Sequence, residues 1–329
     1  MRMQALASLG HEVVGVDTTT PANAALPLRI FGRAMRRIGY PLDLADAQSR
    51  MIQAARREHP HIVWIDKGLS IRPEALSTLR ELGAAIRIVG YSPDDMGQRH
   101  NQSKYFLDGL QQYDTFFTTK SFNVDELVRL GARQVHFIGN GYDPAIHRPT
   151  SPTADQRLSL GGPVGFIGAS EPARASAMLA LARSGIPVRV WGWGRSPARH
   201  YYHPNLQVSA TYLAGAAYAR AVCSFDINLG FLRKINRDRQ TTRSVEIPAC
   251  GAFMLAERSD EHLAMFREGK EAEFFSTADE LIDKTRFYLQ HPDLRNRIAS
   301  AGRDRCLSSG YDYPSRARTM LEHVVPPGG

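Results

Sequence analysis

The chain has 329 residues, 43% of them hydrophobic and 22% charged, which is apolar material enough for packed cores and length enough for about two domains of ~150 residues each. A mainly disordered chain is excluded, no apolar run approaches the ~18 residues of a membrane span, and Met1-Arg2-Met3-Gln4-Ala5 lacks the apolar core of an export signal, so a soluble cytoplasmic protein is expected. The 41 basic against 33 acidic residues leave a charge of +8 and favour an anionic partner, but six lysines and 35 arginines are scattered rather than gathered, which argues against nucleic acid.

Charge alone allows peripheral contact with a membrane, and no motif supports one. The three cysteines, Cys223, Cys250 and Cys306, are widely spaced and odd in number, so buried thiols are expected rather than disulfides or a zinc knuckle.

In chain order, residues 1–9 have a helical pattern ending at Gly10, and residues 12–17 (EVVGVD) read as a strand. A doubly wound domain ordinarily opens with a strand and a tight turn. This chain reads as if entered at its first helix, which fits equally a start at an internal methionine and a shortened domain. Further strands are expected at 61–66, 84–91, 114–118 and 134–138, with helices at 46–58, 73–82 and 124–130, the last closed by Gly131. Polar residues 149–162, with Pro149, Pro152, Gly161 and Gly162, have linker composition.

The rhythm then restarts, with strands at 164–168, 187–191, 221–229, 252–256 and 272–275 and helices at 172–184, 212–219, 242–250, 278–290 and 292–308. The expectation is two Rossmann-like, doubly wound parallel-sheet α/β domains facing a cleft. The first spans residues 1–148 and the second 163–329, whose last helix can pack back on the first, and ligands belong at the carboxyl ends of the strands.

The most informative stretch runs from Asn228 to Phe253. A strand delivers the chain to a basic loop, and Thr241 or Thr242 can cap the helix that follows. Free N–H groups at that helix start, with Arg243 in its first turn, suit a diphosphate. Glu246, one turn on, could accept both hydroxyls of a ribose; the same residues also fit a plain capped helix with a solvated glutamate.

Glu246-Ile247-Pro248-Ala249-Cys250-Gly251-Ala252 resembles the Glu-Ala-x-Ala-Cys-Gly signature of group 1 glycosyltransferases with the GT-B fold. The runs Ala256-Glu257-Arg258, Phe266-Arg267-Glu268-Gly269-Lys270-Glu271 and Gly302-Arg303 resemble their CgeB-like branch. So do Phe117-Thr118-Thr119-Lys120, Leu130-Gly131-Ala132 and Gly141-Tyr142-Asp143-Pro144 with His147-Arg148-Pro149. The resemblance implies a hexosyltransferase-type enzyme with a nucleotide-diphosphate sugar as donor substrate, an unknown glycan, protein or small-molecule acceptor, and no separate cofactor. It implies that Glu246 binds the donor's ribose, and, less directly, that Asp238 touches the sugar or its phosphate, where many relatives carry Glu. The usual Arg/Lys clamp on the diphosphate has no clear match; Arg174 and Arg243 are its substitutes by position.

In the first domain, Asp66-Lys67-Gly68 and Ser92-Pro93-Asp94-Asp95 end strands. An inverting transfer needs a base there, which makes Asp94, Asp95 and His100 candidates, although Pro93-Asp94-Asp95 also reads as an ordinary turn. His59-Pro60-His61 has no further ligand in view, no Asp-x-Asp occurs, and no metal site is expected. Trp191-Gly192-Trp193-Gly194 could stack on a base or sugar or simply pack. A nucleotide-sugar epimerase or hydrolase on the same frame, and a non-catalytic sugar-nucleotide binder or structural protein, are the alternatives.

Overall fold

The computed structural model describes residues 2–19, 26–194 and 202–324. The chain divides into two compact units. The first takes residues 1–139, 235–237 and 314–329, and the second takes 140–234 and 238–313.

The first unit opens with α1 (Arg2–Ser8), stopped by Gly10 at φ 91°, which lies in the left-handed region; Met1 lies outside the described residues. Then come α2 (Leu26–Arg37), α3 (Ala47–Glu58), β1 (Ile62–Asp66), α4 (Pro73–Leu82), β2 (Arg87–Ser92), α5 (Lys104–Gly109), β3 (Thr115–Thr118), α6 (Asn123–Arg129) and β4 (Val135–Phe137). The strands pair in parallel in the order β1-β2-β3-β4. Both faces of the sheet are covered, as parallel pairing demands. Ile88 and Phe116 face a core with Leu76, Leu79, Phe106, Leu110 and Leu127, while Val89, Tyr91 and Phe117 face the other side with Met320 and Val324 of the last helix.

The strand expected at 12–17 does not form. Val13, Val14 and Val16 supply the propensity, but no backbone group of this segment joins a ladder, and a strand exists only where a neighbour completes its hydrogen bonds. Instead these residues form one wall of a cavity of about 1070 Å³ whose other lining includes β1. The sheet therefore begins with β1.

The second unit contains α7 (Ala154–Leu160), β5 (Gly162–Ile167), α8 (Pro172–Arg183), β6 (Val188–Trp191), β7 (Leu206–Ser209), α9 (Gly215–Val222), β8 (Phe225–Gly230), α10 (Arg243–Ala249), β9 (Met254–Glu257), α11 (Asp260–Met265), β10 (Glu273–Phe275), α12 (Ala278–Gln290) and α13 (Pro292–Ser308). The final helix, α14 (Tyr313–Val324), belongs to the first unit from Pro314 onward. All pairs of the six-stranded sheet are parallel, in the order β10-β9-β8-β5-β6-β7.

Three local expectations are corrected here. The polar stretch 149–162 holds α7, because Thr153 and Gln156 form a reciprocal capping box that satisfies two otherwise orphan N–H groups. The strand read from 221 starts at Phe225, since Ala221 and Val222 lie on the buried face of α9. β7 was not expected at all.

Phe274 of β10 is fully buried and stacks on the His262 ring, with centroids 5.3 Å apart. Phe274→Ala should cost about 3–5 kcal/mol in denaturant unfolding. Phe287→Ala on the half-exposed face of α12, where the ring rests on His291 and Tyr288, should cost less, about 1 kcal/mol. Equal losses would contradict this placement of the core.

Candidate functional site

The strand order of the second unit reverses at β5. The chain runs outward through β6 and β7 on one side, then returns to lay β8, β9 and β10 on the other. Such a reversal splays the two connections apart and leaves a crevice beyond the carboxyl ends of β5 and β8, where open α/β sheets take ligands. Gly168-Ala169-Ser170-Glu171 leaves β5 there, and the loop from Phe231 to Thr242 leaves β8.

The crevice is rich in cations. Arg243 Nε donates to the carbonyl of Ile167 at 2.5 Å, and its Nη2 would lie 3.1 Å from a Cβ at position 168, so glycine lets the guanidinium lie against the backbone. Arg174 is 8% exposed and donates from Nη1 to the carbonyl of Ala169 at 3.1 Å, and its Nε is buried without a hydrogen-bond partner. Burial pulls its pKa down. Arg233 Nε lies 3.1 Å from Glu171 Oε1, and Lys234 Nζ lies 3.3 Å from Glu257 Oε1. Glu257 also accepts from the Leu232 N–H at 2.5 Å. Four cations thus face two carboxylates, a surplus that suits an anion.

Helix α10 is only seven residues long, with Pro248 inside it and Gly251 at φ 68° behind it, so its dipole adds less than the guanidinium groups do. The expected threonine cap is absent: Thr242 stands at the cap position with helical dihedrals and no side-chain cap bond. Ser244 takes over. Its Oγ accepts from the Thr241 N–H at 3.0 Å and lies 2.7 Å from His262 Nε2, while His262 Nδ1 lies 2.7 Å from the carbonyl of Glu257. A carbonyl can only accept, so Nδ1 carries the proton and Nε2 accepts from the Ser244 hydroxyl. This chain pins the start of α10 to the end of β9. Burial lowers the pKa of His262.

Glu246, with a side chain 13% exposed, has both oxygens placed: Oε2 accepts from the Tyr218 hydroxyl at 2.9 Å, and Oε1 lies 3.7 Å from His147 Nε2. His147 Nδ1 accepts from the Asp143 N–H at 2.9 Å, so the ring presents Nε2–H to the carboxylate. Burial holds the His147 pKa below its ordinary value, and burial together with Glu246 pushes the Tyr218 hydroxyl well up. Asp238 sits half-buried on the loop, its N–H bonded to the Arg233 carbonyl at 3.1 Å. Sequence reasoning missed Tyr218, Ser244 and His262. It quoted His147 without a role.

In the first unit, Asp94 pairs with Lys67, joining the two strand ends that the sequence singled out, and its N–H donates to Ser92 Oγ at 3.2 Å. Asp95 is fully buried. It accepts from Arg237 Nε at 2.6 Å and Nη2 at 2.9 Å, from Asn123 Nδ2 at 2.8 Å and from the Gly97 N–H at 3.1 Å. Arg237 also bonds Glu126 and lies over the Phe122 ring at 4.3 Å. His100 is exposed on a single 3-10 turn, Arg99–Asn101. Of the tryptophans, Trp193 is fully buried in the core, and Trp191 Nε1 donates to the Leu160 carbonyl at 2.9 Å, so both pack. Among the described residues no group of three metal-ligating side chains occurs.

His262 and His147 share a pH signature. Each has a folded pKa below the ordinary histidine value, so on acidification the unfolded chain takes up the proton first. Stability present above about pH 6.5 should therefore fall as the pH drops below it. A His262→Gln variant should show a shallower fall in melting temperature between about pH 7 and pH 5. An unchanged slope would contradict the assignment.

Residues 174–322 match the family model described as "Glycosyl transferase-like". The chain matches no curated protein. Among solved structures it is similar to HepE of Anabaena in complex with UDP-glucose, at 13% identity and TM-score 0.60, covering 84% of this chain and 81% of that one. The sucrose-phosphate synthase of Thermosynechococcus elongatus gives 14% identity and TM-score 0.60 over 84% and 77%. A glycosyltransferase from Rickettsia africae gives 12% and 0.59 over 85% and 81%. With its two parallel-sheet α/β domains, the chain has the fold of the GT-B glycosyltransferases.

Proposed function

We propose that the protein is a glycosyltransferase that moves a hexose from a nucleotide-diphosphate donor to an acceptor without a metal, as a member of the CgeB-like branch its motifs resemble. The observation that carries this is Arg174, buried with an unpartnered Nε, beside Arg243 in a crevice at the strand reversal. Arg174 Nη2 already lies 3.6 Å from Glu171 Oε1, but its buried Nε still lacks an acceptor, which a bound anion would supply. The family match over residues 174–322 includes Arg174, Arg243 and Glu246. UDP is the first nucleotide to test, since HepE was solved with UDP-glucose.

In this reading Arg174 and Arg243 hold the diphosphate, and their charge does the work that a metal does elsewhere. Glu246 accepts the ribose hydroxyls, with Tyr218 and His147 fixing the direction of its carboxylate. Asp238 meets the sugar or its phosphate. For an inverting transfer the base is Asp94 rather than Asp95, whose two oxygens are both taken by hydrogen bonds to buried or charged donors; His100 is the remaining candidate.

Calorimetry should find that Glu246→Ala weakens UDP binding roughly 10- to 150-fold, the equivalent of one charge-assisted hydrogen bond of about 1.5–3 kcal/mol, with a further loss of about 1–3 kcal/mol in stability from the orphaned Tyr218 hydroxyl. Unaltered affinity would remove the donor-site assignment. Asp94→Asn should lower kcat by roughly 10²–10⁴ while UDP affinity stays. Asp95→Asn should instead lower stability by about 2–3 kcal/mol, less than a fully buried pair because Arg237 is partly exposed. Release of free nucleotide from a UDP-sugar at full rate without acceptor would favour a hydrolase or epimerase, and binding without any turnover a sugar-nucleotide binder.

A further inference from the structure

The chain's three cysteines are free thiols, and all three belong to the second unit and pack around α10. Cys223 caps the carboxyl end of α9 and Cys250 that of α10, so two helix ends present their thiols to each other. Cys223 Sγ lies 3.5 Å from the Cys250 carbonyl oxygen, to which its S–H donates, and the two thiol groups are themselves in hydrogen-bond contact. Their exposure differs. Cys250 is buried, as is Cys306, whose Sγ lies 3.8 Å from the Val245 carbonyl, whereas Cys223 is only half-buried.

The surroundings of Cys223 favour its thiolate. Thr150 Oγ1 is buried and finds no conventional hydrogen-bond partner, yet the Thr150 hydroxyl and N–H both approach the Cys223 sulfur. A thiol sulfur accepts weakly and a thiolate strongly, so ionisation of Cys223 satisfies an otherwise orphaned hydroxyl. The Cys250 thiol, the two Thr150 donors and the Arg157 charge bring the Cys223 pKa down to about 6 against the opposing effect of burial. Cys250 is held far up, by the Cys223 sulfur first and by burial second, and stays a thiol. We infer that Cys223 and Cys250 form a hydroperoxide-reactive dithiol that closes into a reversible disulfide between the ends of α9 and α10. The Cys223 thiolate attacks the terminal oxygen of a hydroperoxide; an S–O bond forms, the O–O bond breaks, and the leaving alkoxide takes a proton to become the alcohol. Oxidation removes the anion that held Cys250 up. The Cys250 sulfur then attacks the sulfenic sulfur of Cys223, an S–S bond forms, the S–O bond breaks, and hydroxide leaves with the Cys250 proton as water. Two thiols give up two electrons, and the hydroperoxide is reduced to alcohol and water.

The test is peptide mapping of the full chain after treatment with hydrogen peroxide at about pH 7, alkylation of the remaining thiols and non-reducing digestion. A linked Cys223–Cys250 peptide should dominate and disappear with dithiothreitol, while Cys306 is recovered as an unoxidised thiol. Native Cys223 should react with iodoacetamide with a midpoint at about pH 6, and Thr150→Val should raise that midpoint by removing one donor to the thiolate. In Cys250→Ala the sulfenic acid at Cys223 has no resolving thiol and should be trapped by dimedone. Melting curves confirm folding of each variant, and the map of the unaltered chain needs none of them. Peroxide treatment that leaves Cys223 and Cys250 as thiols, carries Cys223 to the sulfinic acid without the linkage, or links Cys306 instead overturns the inference. So does an alkylation midpoint for Cys223 at the ordinary thiol value of about 8.5. The readout is thiol chemistry and involves no nucleotide, so it stands or falls apart from the donor site.

Discussion

One hydrogen bond ties the second unit's site together: Arg243 Nε donates to the carbonyl that closes β5, at Ile167. Because β5 is the strand at which the sheet order reverses, that carbonyl marks the floor of the crevice, and the bond sets the first turn of α10 against it. Glycine at 168 eases the same contact, since a Cβ there would lie 3.1 Å from the guanidinium and 2.9 Å from Phe166 Cζ. Ser244, His262 and the Glu257 carbonyl hold the helix from the β9 side. Glu246, one turn on, inherits its position from both anchors. A helix of seven residues broken by proline would be marginal without them.

Much of this was legible in the sequence, for identifiable reasons. Strands β1 to β6 and β8 to β10 announce themselves because parallel strands buried on both faces read as short runs of valine, isoleucine and phenylalanine. Glu246 and Arg243 could be placed because a strand, a basic loop and a proline-limited helix fix their spacing. The cap could not. Thr241 and Thr242 offer the expected chemistry, yet their backbone carbonyls rather than their hydroxyls take the Ser244 and Val245 N–H groups, and the Ser244 hydroxyl, held by a histidine eighteen residues away, takes the Thr241 N–H. Tyr218 and His147 meet Glu246 only through tertiary packing, and no local period encodes that.

The first unit gives the opposite lesson. Val13, Val14 and Val16 carry a strand's composition but find no ladder partner, so propensity yields to the arrangement around them. Asp95 carries the chemistry of a base but has both oxygens engaged by Arg237, Asn123 and the Gly97 N–H, while Asp94 beside it remains partly exposed with Lys67. Adjacent residues of one type differ in role by burial and partners alone. α2 has a plain 3.6-residue period, but it stands between Asp17 and Asp43 with no described strand on its N-terminal side, so the alternating βα pattern does not reach it.

The central claim, that the crevice beyond β5 and β8 binds a nucleoside diphosphate, is tested most directly by a crystal structure with UDP bound. The account predicts the diphosphate within hydrogen-bonding distance of Arg174 and Arg243 and the ribose hydroxyls on Glu246. A nucleotide seated elsewhere on the chain, with Arg174 Nε still unpartnered, would contradict it.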